Sequence, residues 1–254
     1  MSDKLRLPPA YRLVAVDEVD STSDEAKRLA AEGAEDGTLV WAKAQRKGRG
    51  RRGRDWASPP GNLYLSLVLR PECPPLEAAQ LAFVAGLGVA GGLGTLVPPL
   101  SEIAFKWPND VLLNECKVAG ILLESSTTAA DRLDWLVLGL GVNVTSAPEE
   151  ATFPATSLRA EGCGQVPVVD VLEAFARHFL AWVNRWLDEG FAPVREAWLR
   201  SAKGIGEEVT VNLAAESFSG TFAELDETGS LIVELADGSR RTVTTGDVYF
   251  GQTP

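Results

Sequence analysis

The chain has 254 residues, 45% of them apolar, which suits one large domain or a domain with a small appendage and excludes wholesale disorder. A formal net charge of −11 argues against nucleic-acid binding by the surface as a whole. Three scattered cysteines (Cys73, Cys116, Cys163), no CxxC pair and a lone histidine, His178, argue against a structural zinc site and for inert thiols in a reducing compartment.

The N-terminal stretch "MSDKLRLPPAYRL" lacks the apolar core of a secretory signal, which predicts a cytoplasmic protein. Val14 to Ala34 reads as a strand, a cap and a helix. Thr22 and Glu25 have capping-box spacing, Ala26, Leu29 and Ala30 form an apolar stripe, and Gly33 marks the stop. "GTLVWAKAQ" is a β-type run, and "NLYLSLVLR" alternates as a strand after the "SPPGN" turn. Leu81 to Pro99 has the apolarity of a short membrane span. Its five glycines after Ala85 and its flanking prolines instead predict a buried helix, packed closely through small residues, and no membrane contact. "EIAFKWPNDVLLNECKVAGILLESS" gives a strand, a Pro-containing turn and a hairpin about Asn114 and Glu115, and "LDWLVLGLGVNV" gives another strand. Two helices follow. Val171, Leu172, Phe175, Phe179 and Trp182 set the buried face of the first, on which His178 reads as a partly exposed position. From Gly204 the texture changes to short alternating strands separated by the turns "DETG" and "ADGS", a small all-β module. The expected organisation is therefore a larger domain over 1–203 and a β domain over 204–254.

Between Arg46 and Arg54 lie six cationic side chains and three glycines, leaving −17 on the rest of the chain. A solvated turn is the plainest reading, but natural surfaces usually mix signs rather than concentrate like charges that repel. An Arg/Gly segment that grips phosphate backbones, with Trp56 stacking on a base, is a second reading. A third is a loop that closes on a small anion, where glycines admit several backbone N–H groups and arginines offer forked donors. Glycine entropy and mutual repulsion predict that such a loop lacks fixed structure before its ligand arrives. No GxxxxGK[ST] motif occurs. A second constellation is "KWPNDVLLNECKVAGILLE". It puts Lys106, Asn109 and Asp110 at a turn and Lys117 at the head of an apolar strand. Taken alone, Asn-Asp there is also an ordinary turn signal, and a lysine there is also an ordinary snorkelling residue.

In combination these segments resemble the biotin protein ligases. "DST" at 20–22, "AQRKGRGRRGRDW" at 44–56, "KWPNDV" at 106–111, "KVAGIL" at 117–122 and "GLGVNV" at 139–144 follow that family's pattern in order. The family usually has asparagine where this chain has Ser23. The resemblance implies an α/β (α+β) fold, a mixed sheet with helices packed on one face, plus a small C-terminal SH3-like β-barrel. It implies ATP-dependent activation of biotin as biotinyl-5′-AMP with Mg²⁺, then transfer to a lysine of a biotin carboxyl carrier protein. By resemblance, Ser21, Thr22, Ser23, Gln45 and Gly120 line the biotin site. Arg49 and Arg51 cover biotin and phosphate, and Arg54, Trp56, Lys106, Asn109 and Asn143 serve the nucleotide. Lys117 meets the biotin carboxylate and α-phosphate and, with Arg51, carries the catalysis. Asp110 is the expected metal position. The "VDSTS" element begins by residue 19, which predicts a monofunctional ligase without operator binding, and a homodimer is left open. A lipoate-type ligase of the same fold and a nucleic-acid-binding protein are the alternatives.

Overall fold

The computed structural model describes residues 5–128, 132–151 and 153–250. In chain order the strands are β1 (Arg12–Val19), β2 (Thr38–Gln45), β3 (Leu63–Leu69), β4 (Ile103–Lys106), β5 (Asp110–Leu113), β6 (Cys116–Thr127), β7 (Leu133–Val142), β8 (Glu208–Asn212), β9 (Ser217–Leu225), β10 (Leu231–Glu234), β11 (Arg240–Val243) and β12 (Asp247–Phe250). The helices are α1 (Thr22–Ala31), α2 (Pro75–Ala78), α3 (Leu81–Gly94), α4 (Val168–Glu189) and α5 (Ala192–Leu199). The first sheet runs β1-β2-β3-β7-β6-β5-β4, with β1 and β2 parallel and the other pairs antiparallel. The second is antiparallel, β11-β10-β9-β8-β12.

Alternation along the strands sorts the first sheet into two faces. Leu39, Leu67 and Leu138 turn to the main core beneath α3 and α4. Val40, Val68 and Val137 turn to the other face and meet Ala26 and Ala30 of α1. The mixed sheet and its helices are as expected, but α1 departs from the one-face arrangement. It is the crossover between two parallel neighbours and has to pass over the sheet. Its start also differs from the predicted capping box. Ser21 is the N-cap and accepts from the Asp24 N–H at 3.4 Å, while the Thr22 hydroxyl turns toward Gln45. Its end is as predicted: Gly33 has φ +90°, with Gly33 N–H donating to Ala30 O and Ala34 N–H to Leu29 O.

The apolar stretch after Pro75 begins with the short turn α2 and continues as α3. Pro75–Gly94 is long and apolar enough to cross a membrane, but 67% of its apolar window is buried inside the fold. The small residues do the expected packing. A Cβ on Gly88 would lie 2.9 Å from Phe179 Cα, and one on Gly92 3.0 Å from Phe175 N. The two helix backbones therefore approach more closely than any larger residue permits.

Two features tie the β module to the sheet. Residues Ser201 to Lys203 run along the β4 edge, with Phe105 N–H donating to Ser201 O and Lys203 N–H to Phe105 O, both at 2.8 Å. The β9–β10 turn reaches the KWPND turn, where the buried Trp107 indole donates to Gly229 O at 3.1 Å. The stretch "RRTVTTGDVYF" after the "ADGS" turn is divided into β11 and β12 by Thr244, Thr245 and Gly246. The division lets the chain leave β10 and pair with β8 on the far side. The predicted hairpin at Asn114 and Glu115 is present, both residues having positive φ.

Gly88→Val forces two branched carbons against the α4 backbone. Overpacking of this kind costs about 1–3 kcal/mol, so urea unfolding at constant m-value should show a loss in that range.

Candidate functional site

A cleft of about 840 Å³ opens on the α1 face of the first sheet and collects nearly every residue the sequence singles out. Its floor is bare backbone. A Cβ on Gly141 would fall 2.5 Å from the Trp56 indole, and one on Gly120 2.9 Å from it. A Cβ on Gly139 would fall 2.8 Å from Ser23 Oγ. The glycines of "VAGIL" and "GLGV" thus let a tryptophan from the basic segment lie flat on β6 and β7. Among the described residues the buried Trp56 Nε1–H meets no acceptor.

One end of the cleft is neutral and hydrogen-bonded. Gln45 Oε1 accepts from Thr22 N–H at 2.8 Å and Thr22 Oγ1 at 3.0 Å, and Gln45 Nε2 donates to Ser58 Oγ at 2.9 Å. Ser66 Oγ donates to Thr22 Oγ1 at 2.9 Å and lies 3.1 Å from Ser23 Oγ. This relay fixes the rotamers of Thr22 and Gln45 between α1, β2 and β3. Ser21 Oγ accepts the cap bond and retains its own proton to donate, and Gln45 retains a second amide proton. Ser23, an expected ligand contact, lines the cleft, is 7% exposed and has its Oγ 3.1 Å from Ser66 Oγ.

The other end is cationic. Lys117 Nζ pairs with Asp110 Oδ1 at 2.7 Å and lies 5.2 Å above the Trp56 ring. Lys106, 7% exposed, has its ammonium 3.9 Å from Asp110 and over the rings of Phe153 at 4.8 Å and Tyr249 at 5.6 Å. Burial holds its pKa below that of an ordinary lysine, against the partial support of Asp110. Arg51 donates to Asn109 Oδ1 at 3.1 Å and to Gly246 O at 3.2 Å. Burial pushes its pKa down as well, opposed by Asp247 and Asp110, and a guanidinium so placed remains charged.

The basic segment is a folded loop whose cations meet carboxylates. Asp20 pairs with Arg46 and Lys47 at 2.8 and 2.9 Å. Asp24 pairs with Arg49 at 2.6 Å, with Glu124 at 3.5 Å on its other side. Asp247 of β12 pairs with Arg54 at 2.9 Å and Arg52 at 3.1 Å and lies 3.8 Å from Arg51. Repulsion within the run is answered by carboxylates from four other segments. Arg52 takes positive φ within the helical turn Arg51–Gly53, which reverses the chain so that Gly50 N–H donates to Arg54 O at 2.7 Å and Arg49 pairs with Asp55 in an antiparallel bridge.

Three expected roles meet a different local setting. Asp110 stands between two ammonium groups, and among the described residues no group of three or more His, Cys, Asp or Glu side chains converges. The protein atoms therefore do not build a metal site on their own. Asn143 is 3% exposed and donates to Thr156 O at 3.0 Å, tying the 154–158 segment to the rim of the cleft. Arg49 faces Asp24 and Glu124. The sequence reading missed Phe153, Asp247 and Tyr249, which line the cleft from distant segments and carry no local motif.

A family model described as the biotin/lipoate A/B protein ligase family matches residues 55–200, and the biotin protein ligase C-terminal domain matches 204–251. The biotin–[acetyl-CoA-carboxylase] ligase of Paracoccus denitrificans is 40% identical over 237 residues, covering 91% of this chain and 98% of that protein. A structure of the biotin protein ligase from Aquifex aeolicus in complex with biotin and ATP superposes with a TM-score of 0.77 at 30% identity, covering 94% of this chain and 97% of that one. The Leishmania major biotin protein ligase in complex with biotinyl-5-AMP matches at a TM-score of 0.64 and 27% identity, covering 94% of this chain and 100% of that one. With the five motifs of the sequence gathered in one cleft, and with both of its parts matched, the chain belongs to the biotin protein ligases of the biotin/lipoate A/B protein ligase family.

Proposed function

We propose that the protein activates biotin with ATP as biotinyl-5′-AMP and transfers the biotinyl group to one lysine of a biotin carboxyl carrier protein. The observation that carries this reading is the polarity of the cleft. A neutral hydrogen-bonding wall (Ser21, Thr22, Gln45) and a cationic wall (Arg51, Lys106, Lys117) are joined by a flat glycine and tryptophan floor. That order suits a ureido ring, an apolar tail and a phosphate, taken in sequence. A lipoyl dithiolane offers nothing to the neutral wall. A nucleic-acid strand needs free cations, and those of the loop are paired with carboxylates of the same chain.

In the first step an oxygen of the biotin carboxylate attacks the α-phosphorus, the bond to the bridging oxygen of the β-phosphate breaks, and pyrophosphate leaves. The carboxylate is already an anion, so no enzyme base is needed. The obstacle is the approach of two anions, and fixed positive charge in a site of low dielectric lowers it. Lys117 is anchored on a strand and Arg51 on the KWPND turn, so neither has to reorganise as charge builds. Magnesium, which the family chemistry implies, would supply further positive charge against the triphosphate. Asp110 would be the residue to hold it, but its carboxylate already pairs with Lys117 at 2.7 Å and lies 3.9 Å from Lys106. In the second step the carrier amine attacks the acyl carbon, the bond to the phosphate oxygen breaks, AMP leaves and the amine proton passes to solvent.

Incubating the purified protein with biotin, MgATP and a carrier domain tests this by mass spectrometry. One biotinyl group should appear on a single carrier lysine. Its absence, with no biotin-dependent pyrophosphate release, would overturn the reading.

Lys117→Met keeps stem length and apolar packing while removing the ammonium. Single-turnover adenylation should fall about 10²–10³-fold, the effect of deleting one preorganised charge, about 3–4 kcal/mol. Because the change also leaves Asp110 without its 2.7 Å partner, some stability is lost with it. Adding Asp110→Asn should recover the melting temperature but not the rate, which separates charge stabilisation from packing.

The lowered Lys106 pKa predicts that its ammonium is lost at lower pH than an exposed lysine would allow. Adenylation should therefore decline early on the alkaline side, and Lys106→Arg should move that limb upward in a pH–rate profile.

A further inference from the structure

Asp247 draws the guanidinium groups of the second half of the basic loop onto the β module. Its side chain is 16% exposed, pairs with Arg52 and Arg54, and lies 3.8 Å from Arg51. Neighbouring backbone completes the dock: Arg51 donates to Gly246 O at 3.2 Å and Arg52 to Asn212 O at 3.4 Å. Through Arg51 the same dock reaches Asn109 on the opposite wall. The loop covers the cleft, and lifting it breaks every one of these bonds together. Its other half is held separately, by Asp20, Asp24 and Glu124 of the first sheet and α1.

Resting on the ligase reading above, we propose that Asp247 is a positioning residue that keeps the 51–54 half of the loop shut and so determines how long the acyl-adenylate is retained. The β module thereby acts on the reaction without touching the reacting atoms. The physical basis is that a run of guanidiniums with no counter-ion opens itself by repulsion. One carboxylate shared among them converts that repulsion into a common anchor, and at this burial the attraction is screened less than at the surface. Retention has a chemical consequence. A released mixed anhydride acylates any exposed lysine: the amine nitrogen bonds to the acyl carbon, the bond to the phosphate oxygen breaks, AMP departs and a proton goes to solvent.

The test compares full-length wild type, Asp247→Asn, Asp247→Glu and Arg52→Gln. Three quantities are measured: single-turnover formation of the adenylate from biotin and MgATP, its dissociation during a chase with unlabelled biotin, and biotinylation of serum albumin present as a bystander. Dissociation and bystander labelling should rise about tenfold in Asp247→Asn, the scale of one charge-assisted anchor, while formation falls far less. Asp247→Glu should recover most of the retention. Arg52→Gln should raise release in the same direction, and combining it with Asp247→Asn should add less than the sum of the two. Trypsin should cut the 51–54 segment faster in Asp247→Asn than in wild type. Release within twofold of wild type in both Asp247→Asn and Arg52→Gln would overturn the proposal. So would equal losses of formation and retention in Asp247→Asn that Asp247→Glu does not rescue, since these mark general structural damage. Failure of the wild type itself to form adenylate would instead overturn the ligase reading beneath it.

Discussion

A run of like charges can be folded only if opposite charge is brought to it. Six cations between Arg46 and Arg54 set that demand, and the architecture supplies carboxylates from the turn after β1, the first turn of α1, β6 and the start of β12. These segments are far apart in the chain and meet only because the sheet order and the docked module bring them to one rim. The excess negative charge of the rest of the chain is in part this counter-charge. Many of the pairs are exposed and individually weak. Their effect comes from number and from fixing the register of a glycine-rich segment over a cleft.

The cleft beneath depends on a second constraint, the absence of side chains. Gly120, Gly139 and Gly141 stand on adjacent strands and leave the α1 face of β6 and β7 level. Trp56 lies on this surface, and the neutral relay through Ser23, Ser66, Thr22 and Gln45 borders it. On the opposite face the same strands carry Leu138, Leu140 and Ile121 into the main core. The strict two-residue alternation of a strand therefore lets one segment serve as core wall and as ligand floor.

The β module is more than an appendage. Its β9–β10 turn holds Trp107 of the KWPND turn, and β12 holds the loop arginines. Both walls of the cationic end thus lean on it. The 201–203 segment that covers the β4 edge makes the connection continuous hydrogen-bonded backbone instead of a free tether.

Local chemistry was enough to read much of this from the sequence. Periodicity marked α4 and the strands, positive-φ positions marked the Asn114–Glu115 hairpin and the Gly33 stop, and clustered charge with glycine marked the loop. Those signals act within a few residues, where sequence and structure coincide. The resemblance to a known family added which side chains share a cleft, and the structure gathers them there. What the chain order could not carry was partnership across long separations. That Asp247 would answer Arg52 and Arg54, that Tyr249 and Phe153 would flank Lys106, and that α1 would take the opposite face to α3 all follow from sheet order and domain docking. An ion pair or an aromatic contact leaves no trace in either partner's neighbours along the chain. It exists only when the fold pays the loop-closure entropy that brings the two together, and so the tertiary structure alone decides it.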